Sequence, residues 1–135
     1  MARRGLLIGL LVVAVVGAIG LSFAANEVES DRRLAARVRV MTAGDPDAGH
    51  TAIQRRPCGG CHEIPGVPGA RGNVGPSLAH FAGRAYIGGR AQNTPDNLIV
   101  WIQNPHLFDP RSAMPPMGIG EAEARDIAAY LYTLE

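Results

Sequence analysis

The chain has 135 residues, with 13 Lys+Arg against 12 Asp+Glu and a net charge of +1. That length makes one domain at most, and the near balance of charge, with every base an arginine, excludes a nucleic-acid binder driven by bulk charge. Aromatic residues make up only 5% while glycine and proline number 17 and 10, so the core is thin and is expected to be filled in part by something other than protein.

In chain order, Gly5 to Ala25 carries no charge and follows Arg3 and Arg4. About 20 apolar residues span a bilayer as a helix, whereas a signal-peptide core runs about 7–15. Length favours an uncleaved anchor over residues 1–25, and the small-x-small pattern Ser22-Phe23-Ala24 leaves a cleaved signal as the alternative. Either way Arg3 and Arg4 stay on the cytoplasmic side and the remainder is exported. Residues 26–42 are highly charged and lack proline and glycine, which reads as a helical stalk or semi-rigid linker, the blander version being a solvated spacer. The globular domain is expected over residues 43–135, with seven arginines against nine acids and hence a charge of −2.

Three helices are predicted in that domain. Asp45 caps the first, with Pro46 at its first position and the helix running toward Arg56. Thr94-Pro95-Asp96 starts the second, which carries Leu98, Ile99, Trp101 and Ile102 and stops before Pro105. The third follows Gly120, has Glu121 and Glu123 in its first turn, and places Ile127, Tyr130, Leu131 and Leu134 on one face. The long Gly/Pro-rich stretch between the first two shows no strand pattern. An all-α domain with such loops needs an internal scaffold.

Both cysteines sit in Cys58-Gly59-Gly60-Cys61-His62, and C-x-x-C-H reads as c-type haem attachment. Two thiols at that spacing reach the two vinyl groups of one haem, and the following imidazole lies under the iron. Structural zinc wants a second Cys or His pair, which is missing. A thioredoxin-like pair wants a βαβ context, and a plain disulfide leaves His62 without a role. For the sixth iron position the candidates are Met114, Met117, His80 and His106. The stretch Asp109-Pro110-Arg111-Ser112-Ala113-Met114-Pro115-Pro116-Met117-Gly118 is stiffened by proline on both sides of Met114, which suits a weakly bound thioether. A lone methionine is otherwise core filler, and His50, His80 and His106 are read by default as solvated.

From Gly44 to Leu134 the chain resembles a class I cytochrome c, the monohaem His/Met-ligated kind, in a bacterial membrane-anchored form. Besides the cysteine motif, the resemblance rests on Gly75-Pro76-Ser77-Leu78, on Gly83-Arg84, and on Trp101-Ile102-Gln103-Asn104-Pro105 followed by Pro110, Ser112 and Met114. It implies the cytochrome c fold, three main helices and long loops around one covalent haem c. It further implies that the Pro76 carbonyl accepts the N–H of His62, that Arg84 lies near a haem propionate, and that Ser112 and Met114 supply the ligand loop, with Met114 preferred over Met117. Trp101 would lie against the haem or serve as ordinary core. Gly49 and Ile53, with Ile127 and Tyr130, match the family's helix crossing.

The chain departs from the mitochondrial type in having no lysine ring for docking. Its ending, from Met114-Pro115-Pro116-Met117 to Leu134, resembles bacterial monohaem cytochromes of respiratory electron transfer. The function so implied is a one-electron carrier, not an enzyme, without small-molecule substrate or nucleic-acid partner. Electrons would pass at the haem edge near Gly59 and Gly60. The expected partners are membrane-bound respiratory complexes, an oxidase or a quinol-oxidising donor. The expected location is the inner (cytoplasmic) membrane, single-pass, with the haem domain on the periplasmic side. Two other readings stand beside it: a haem-based gas sensor or peroxidase with a displaceable Met114, and a haem-stapled structural subunit of an oxidase complex.

Overall fold

Helix α1 runs from Ala2 to Thr42 without a break, in a computed structural model that describes residues 2–135 and the side chains of residues 5, 7 and 9–135. The side chains of Arg3 and Arg4, on which the expected orientation turns, lie outside the described residues. No proline interrupts α1, and its glycines fall in the apolar half, where a membrane tolerates them better than water does. The helix is long and apolar enough to cross a membrane, and Leu10, Val13, Val16, Leu21 and Phe23 are all exposed.

The described residues fall into two compact units, one ending at Leu34 and one comprising Ala35–Glu135. The second unit therefore begins inside the segment expected to be stalk rather than at residue 43. Val38 and Thr42 explain the difference, being 1% and 0% exposed. Thr42 Oγ1 donates to Val38 O at 2.8 Å and accepts from Gly44 N at 3.1 Å, while Arg125 Nη1 donates to Thr42 O at 3.1 Å. Ala43 then takes a left-handed conformation, φ 54°, that ends the helix. Gly44 follows directly against the Arg125 backbone, where a side chain would collide.

Helix α2, Pro46–Arg55, starts where the cap chemistry places it: Asp45 Oδ1 accepts from Asp47 N and Ala48 N at 2.8 and 3.2 Å. Helix α4, Pro95–Gln103, starts on Thr94, whose hydroxyl accepts from Asn97 N at 3.3 Å. Helix α5, Glu121–Leu131, follows Gly120 without a side-chain cap. The core lies where α5 meets α2 and α4. Leu98, Ile99 and Ile102 of α4 and Ala124, Ile127, Ala128, Ala129 and Leu131 of α5 are buried. Three alanines of α5, Ala124, Ala128 and Ala129, rather than its larger residues, are its most buried positions, because small side chains let neighbouring backbones approach. At Gly49 of α2 the approach is close enough that a Cβ would strike Asp126 O, and the Tyr130 ring lies 5.0 Å from that of His50, so α2 and α5 cross where Gly49 and Ile53 are expected to meet Ile127 and Tyr130.

The molecule is mainly helical, as expected, with two additions. A short helix α3, Cys58–Cys61, carries the cysteine motif. A hairpin of two-residue strands, β1 (Tyr86–Ile87) antiparallel to β2 (Ala91–Gln92), turns through Gly88 and Gly89, both at positive φ. Strands this short fall below what alternation reveals.

Candidate functional site

One half of the site is built on α3. His62 N donates to Cys58 O at 2.9 Å, closing the single turn, so the two thiols sit at the ends of one short helix. Both cysteines are free; Cys58 is half-buried and Cys61 exposed. Burial pushes the Cys58 thiol above its ordinary value.

After the turn the chain becomes extended at His62, φ −114° and ψ 142°. The imidazole Nδ1 is 2.7 Å from Pro76 O. A carbonyl only accepts, so Nδ1 carries the proton and Nε2 keeps the lone pair that a metal uses. Gly75 lies flat against the ring, and a Cβ there would collide with the imidazole. Two main-chain hydrogen bonds hold this loop on the motif: Gly75 N to Cys61 O at 2.8 Å and Gly72 N to Gly59 O at 3.1 Å. A Cβ on Gly72 would strike the backbone of Gly60 and Cys61.

Arg84 braces the same loop from the other side. Its Nη2 donates to Ser77 O and to Ala79 O, the latter at 2.9 Å. The guanidinium lies 5.5 Å from the centroid of the Phe81 ring. The residue expected beside a propionate thus spends donors on loop carbonyls. Asn93 extends the brace, donating from Nδ2 to Phe81 O and Arg84 O at 3.1 and 3.0 Å. Tyr132 donates to Asn93 Oδ1 at 2.9 Å, and burial pushes its phenol up to about 12.

The other half follows α4. Trp101 is half-buried, its ring 6.0 Å from Phe108 and inclined by 29°. Its indole fills the space beside Gly88, where a Cβ would meet it. Asn104 Oδ1 accepts from His106 N at 3.2 Å, and buried Pro105 opens a 3-10 turn, Pro105–Leu107. Beyond it Ser112 N donates to Asp109 O at 2.9 Å, and Ser112 Oγ accepts from Met114 N at 3.2 Å. Hydrogen bonding from Arg111 N, with Arg90 nearby, holds the Asp109 carboxyl below the usual range. Met117 N donates to Gln103 O and Gln103 Nε2 to Ile119 O, both at 3.2 Å.

Cys58, Cys61, His62, Pro76 and Arg84 are thus joined through one loop, and Ser112 and Met114 through another. Each of the other histidines has a hydrogen-bond partner, His50 and His106 being half-buried and His80 exposed. His50 Nε2 lies 3.0 Å from Gly66 O, His80 Nδ1 2.7 Å from Glu135 O, and His106 Nε2 3.1 Å from Ser112 O. Each imidazole donates to a main-chain carbonyl that one-dimensional reading does not reveal. Gly72, Asn93, Gln103 and Tyr132 were likewise missed. Among these only Gly72 carried a signal, its place in a glycine-rich loop.

Among the described residues no group of three or more His, Cys, Asp or Glu side chains could hold a metal ion, so a zinc site lacks its ligand set. The residues do fit haem c. Two free thiols flank one turn, the next imidazole offers Nε2, and Gly75 leaves room for that imidazole. The protein-family model described as Cytochrome c matches residues 46–135. Searches of curated proteins and of solved structures gave no match.

Proposed function

Because this chain belongs to the cytochrome c family, which binds covalent haem c and transfers electrons rather than catalysing a reaction, we propose that it is a membrane-tethered one-electron carrier of a bacterial respiratory chain with His62 and Met114 as axial ligands. The observation that carries the reading is the bond between His62 Nδ1 and Pro76 O at 2.7 Å, which leaves Nε2 as the ligating atom.

In this reading Cys58 and Cys61 hold the haem through thioethers, and His62 and Met114 ligate its iron. Bound there, the group supplies reversible exchange between ferrous and ferric iron. The Pro76 carbonyl orients the imidazole and raises its donor strength. Thioether ligation by Met114 favours the ferrous state and raises the potential. Gly59 and Gly60 leave the edge beside the cysteines without bulky side chains, so a partner can approach closely there. The apolar helix, which could cross a membrane, tethers the domain to the periplasmic face of the inner membrane. That confinement raises its effective concentration toward an oxidase or a quinol-oxidising donor. With no lysine in the chain, docking does not use a lysine ring.

The test is a visible spectrum of the full chain matured in a host that attaches haem. A weak far-red sulfur-to-iron band when oxidised, and no shift under carbon monoxide when reduced, is the expected result. Met114→Ala should abolish the band, admit carbon monoxide and lower the potential, whereas Met117→Ala should do none of these. Ready carbon monoxide binding by the unaltered chain would replace the carrier with a sensor or peroxidase.

A further inference from the structure

We propose that His106 is a positioning residue for Met114, fixing the ligand loop through its hydrogen bond to Ser112 and so setting how tightly the thioether holds the iron. The inference rests on the reading of Met114 as axial ligand.

The stretch around Met114 is irregular and has few apolar contacts of its own; Ala113, Pro115 and Pro116 are exposed and Met114 only half-buried. Something else must hold it. On its N-terminal side three bonds converge on Ser112, one of them the turn bond from its own N–H to Asp109 O at 2.9 Å. The His106 ring donates from Nε2 to Ser112 O at 3.1 Å, and Ser112 Oγ accepts from Met114 N at 3.2 Å. His106 is itself placed by the Asn104 side chain, which accepts its N–H at 3.2 Å. A relay of Asn104, His106, Ser112 and Met114 thus carries the geometry of the end of α4 to the thioether.

On the C-terminal side Met117 N is tied to Gln103 O, and Ile119 O to the Gln103 side chain. Apart from the Asp109 turn, the bonds that tie the loop to the rest of the domain come from the end of α4 and the turn after it, residues 103–106. The Gln103 anchor includes a backbone carbonyl that no side-chain change removes. The His106 anchor is a single side-chain bond, and it lies on the side where proline is further away. Without it Ser112 O loses its partner and the segment before Met114 gains freedom, which favours the ligand-off form.

The experiment compares imidazole binding to the oxidised, haem-loaded full chain with His106→Phe and His106→Gln. Phe keeps a ring without a donor, whereas the Gln amide can still donate to Ser112 O. His80→Ala serves as control, since it removes another imidazole hydrogen bond, to Glu135 O, outside the ligand loop. One net hydrogen bond of about 1 kcal/mol corresponds to a rise on the order of fivefold in imidazole affinity for His106→Phe. The sulfur-to-iron band should weaken in parallel, His106→Gln should restore both, and His80→Ala should lower thermal stability without moving either. Wild-type affinity and an undiminished band in a folded His106→Phe would overturn the inference. So would failure of His106→Gln to recover what His106→Phe loses. Should the unaltered chain itself lack the band, the His/Met reading fails and the positioning role with it. Should the band be present but indifferent to residue 106, only the positioning role fails.

Discussion

Gly75 shows how much depends on one missing methyl group. The His62 ring rests where a Cβ would stand, so Gly75→Ala must tilt the imidazole away from the Pro76 carbonyl. Losing that bond lowers the donor strength of the ring, and a weaker donor favours ferrous iron. The variant should therefore show a higher reduction potential than the unaltered chain in a spectroelectrochemical titration. Another single-residue effect concerns Glu123, whose ion pair with Arg56 leaves the two side chains only 27% and 34% exposed. The bond from Arg56 depresses the Glu123 carboxyl below its ordinary value of 4.5. A folded-state value below the unfolded one means that the pair stabilises at neutral pH, and that its contribution fades as pH drops through 4.5 and below. Melting temperatures measured from pH 6 to pH 3 should accordingly fall more steeply for the unaltered chain than for Glu123→Gln.

At the scale of elements, α2 and α5 meet by backbone contact rather than by interlocking large side chains. Gly49→Ala places a methyl group against Asp126 O, and overpacking of this kind costs about 1–3 kcal/mol. Thermal denaturation of the haem-loaded chain should show a melting temperature lower by several degrees. The starts of α2 and α4 were legible in the sequence because their signals are local: Asp45-Pro46 and Thr94-Pro95 carry cap and first turn within two residues. The hairpin at Tyr86–Gln92 was not, since strands of two residues offer no alternation and only Gly88-Gly89 marks its turn. The cysteine motif was legible for the same reason as the caps, whereas the carbonyl partners of His50, His80 and His106 depend on how distant loops fold. Asn93 and Tyr132 escaped notice on identical grounds, being 39 positions apart.

For the molecule as a whole, composition anticipated the long apolar N-terminal helix. Charge marked residues 26–42 as a spacer, yet Val38 and Thr42 are buried through contacts with residues far along the chain, among them Arg125. A chain starting at Ala35 should consequently melt at a higher temperature than one starting at Ala43, when both are matured with haem and followed by circular dichroism. Equal melting temperatures would mean that the last two turns of α1 contribute nothing to the unit.

The glycine-lined loop laid across α3 has a consequence for insertion and deletion. Gly72 and Gly75 address their N–H groups to Gly59 O and Cys61 O, so the loop reads the length of the motif as a ruler reads a gap. One residue added between the cysteines would turn Cys61 O by about 100° around the helix axis and leave Gly75 pointing at nothing. The number of residues between Cys58 and Cys61 is thereby checked twice, once by the span between two thioether positions and once by the protein's own backbone. A wider motif would need a compensating change in the loop even if some other macrocycle could bridge its thiols.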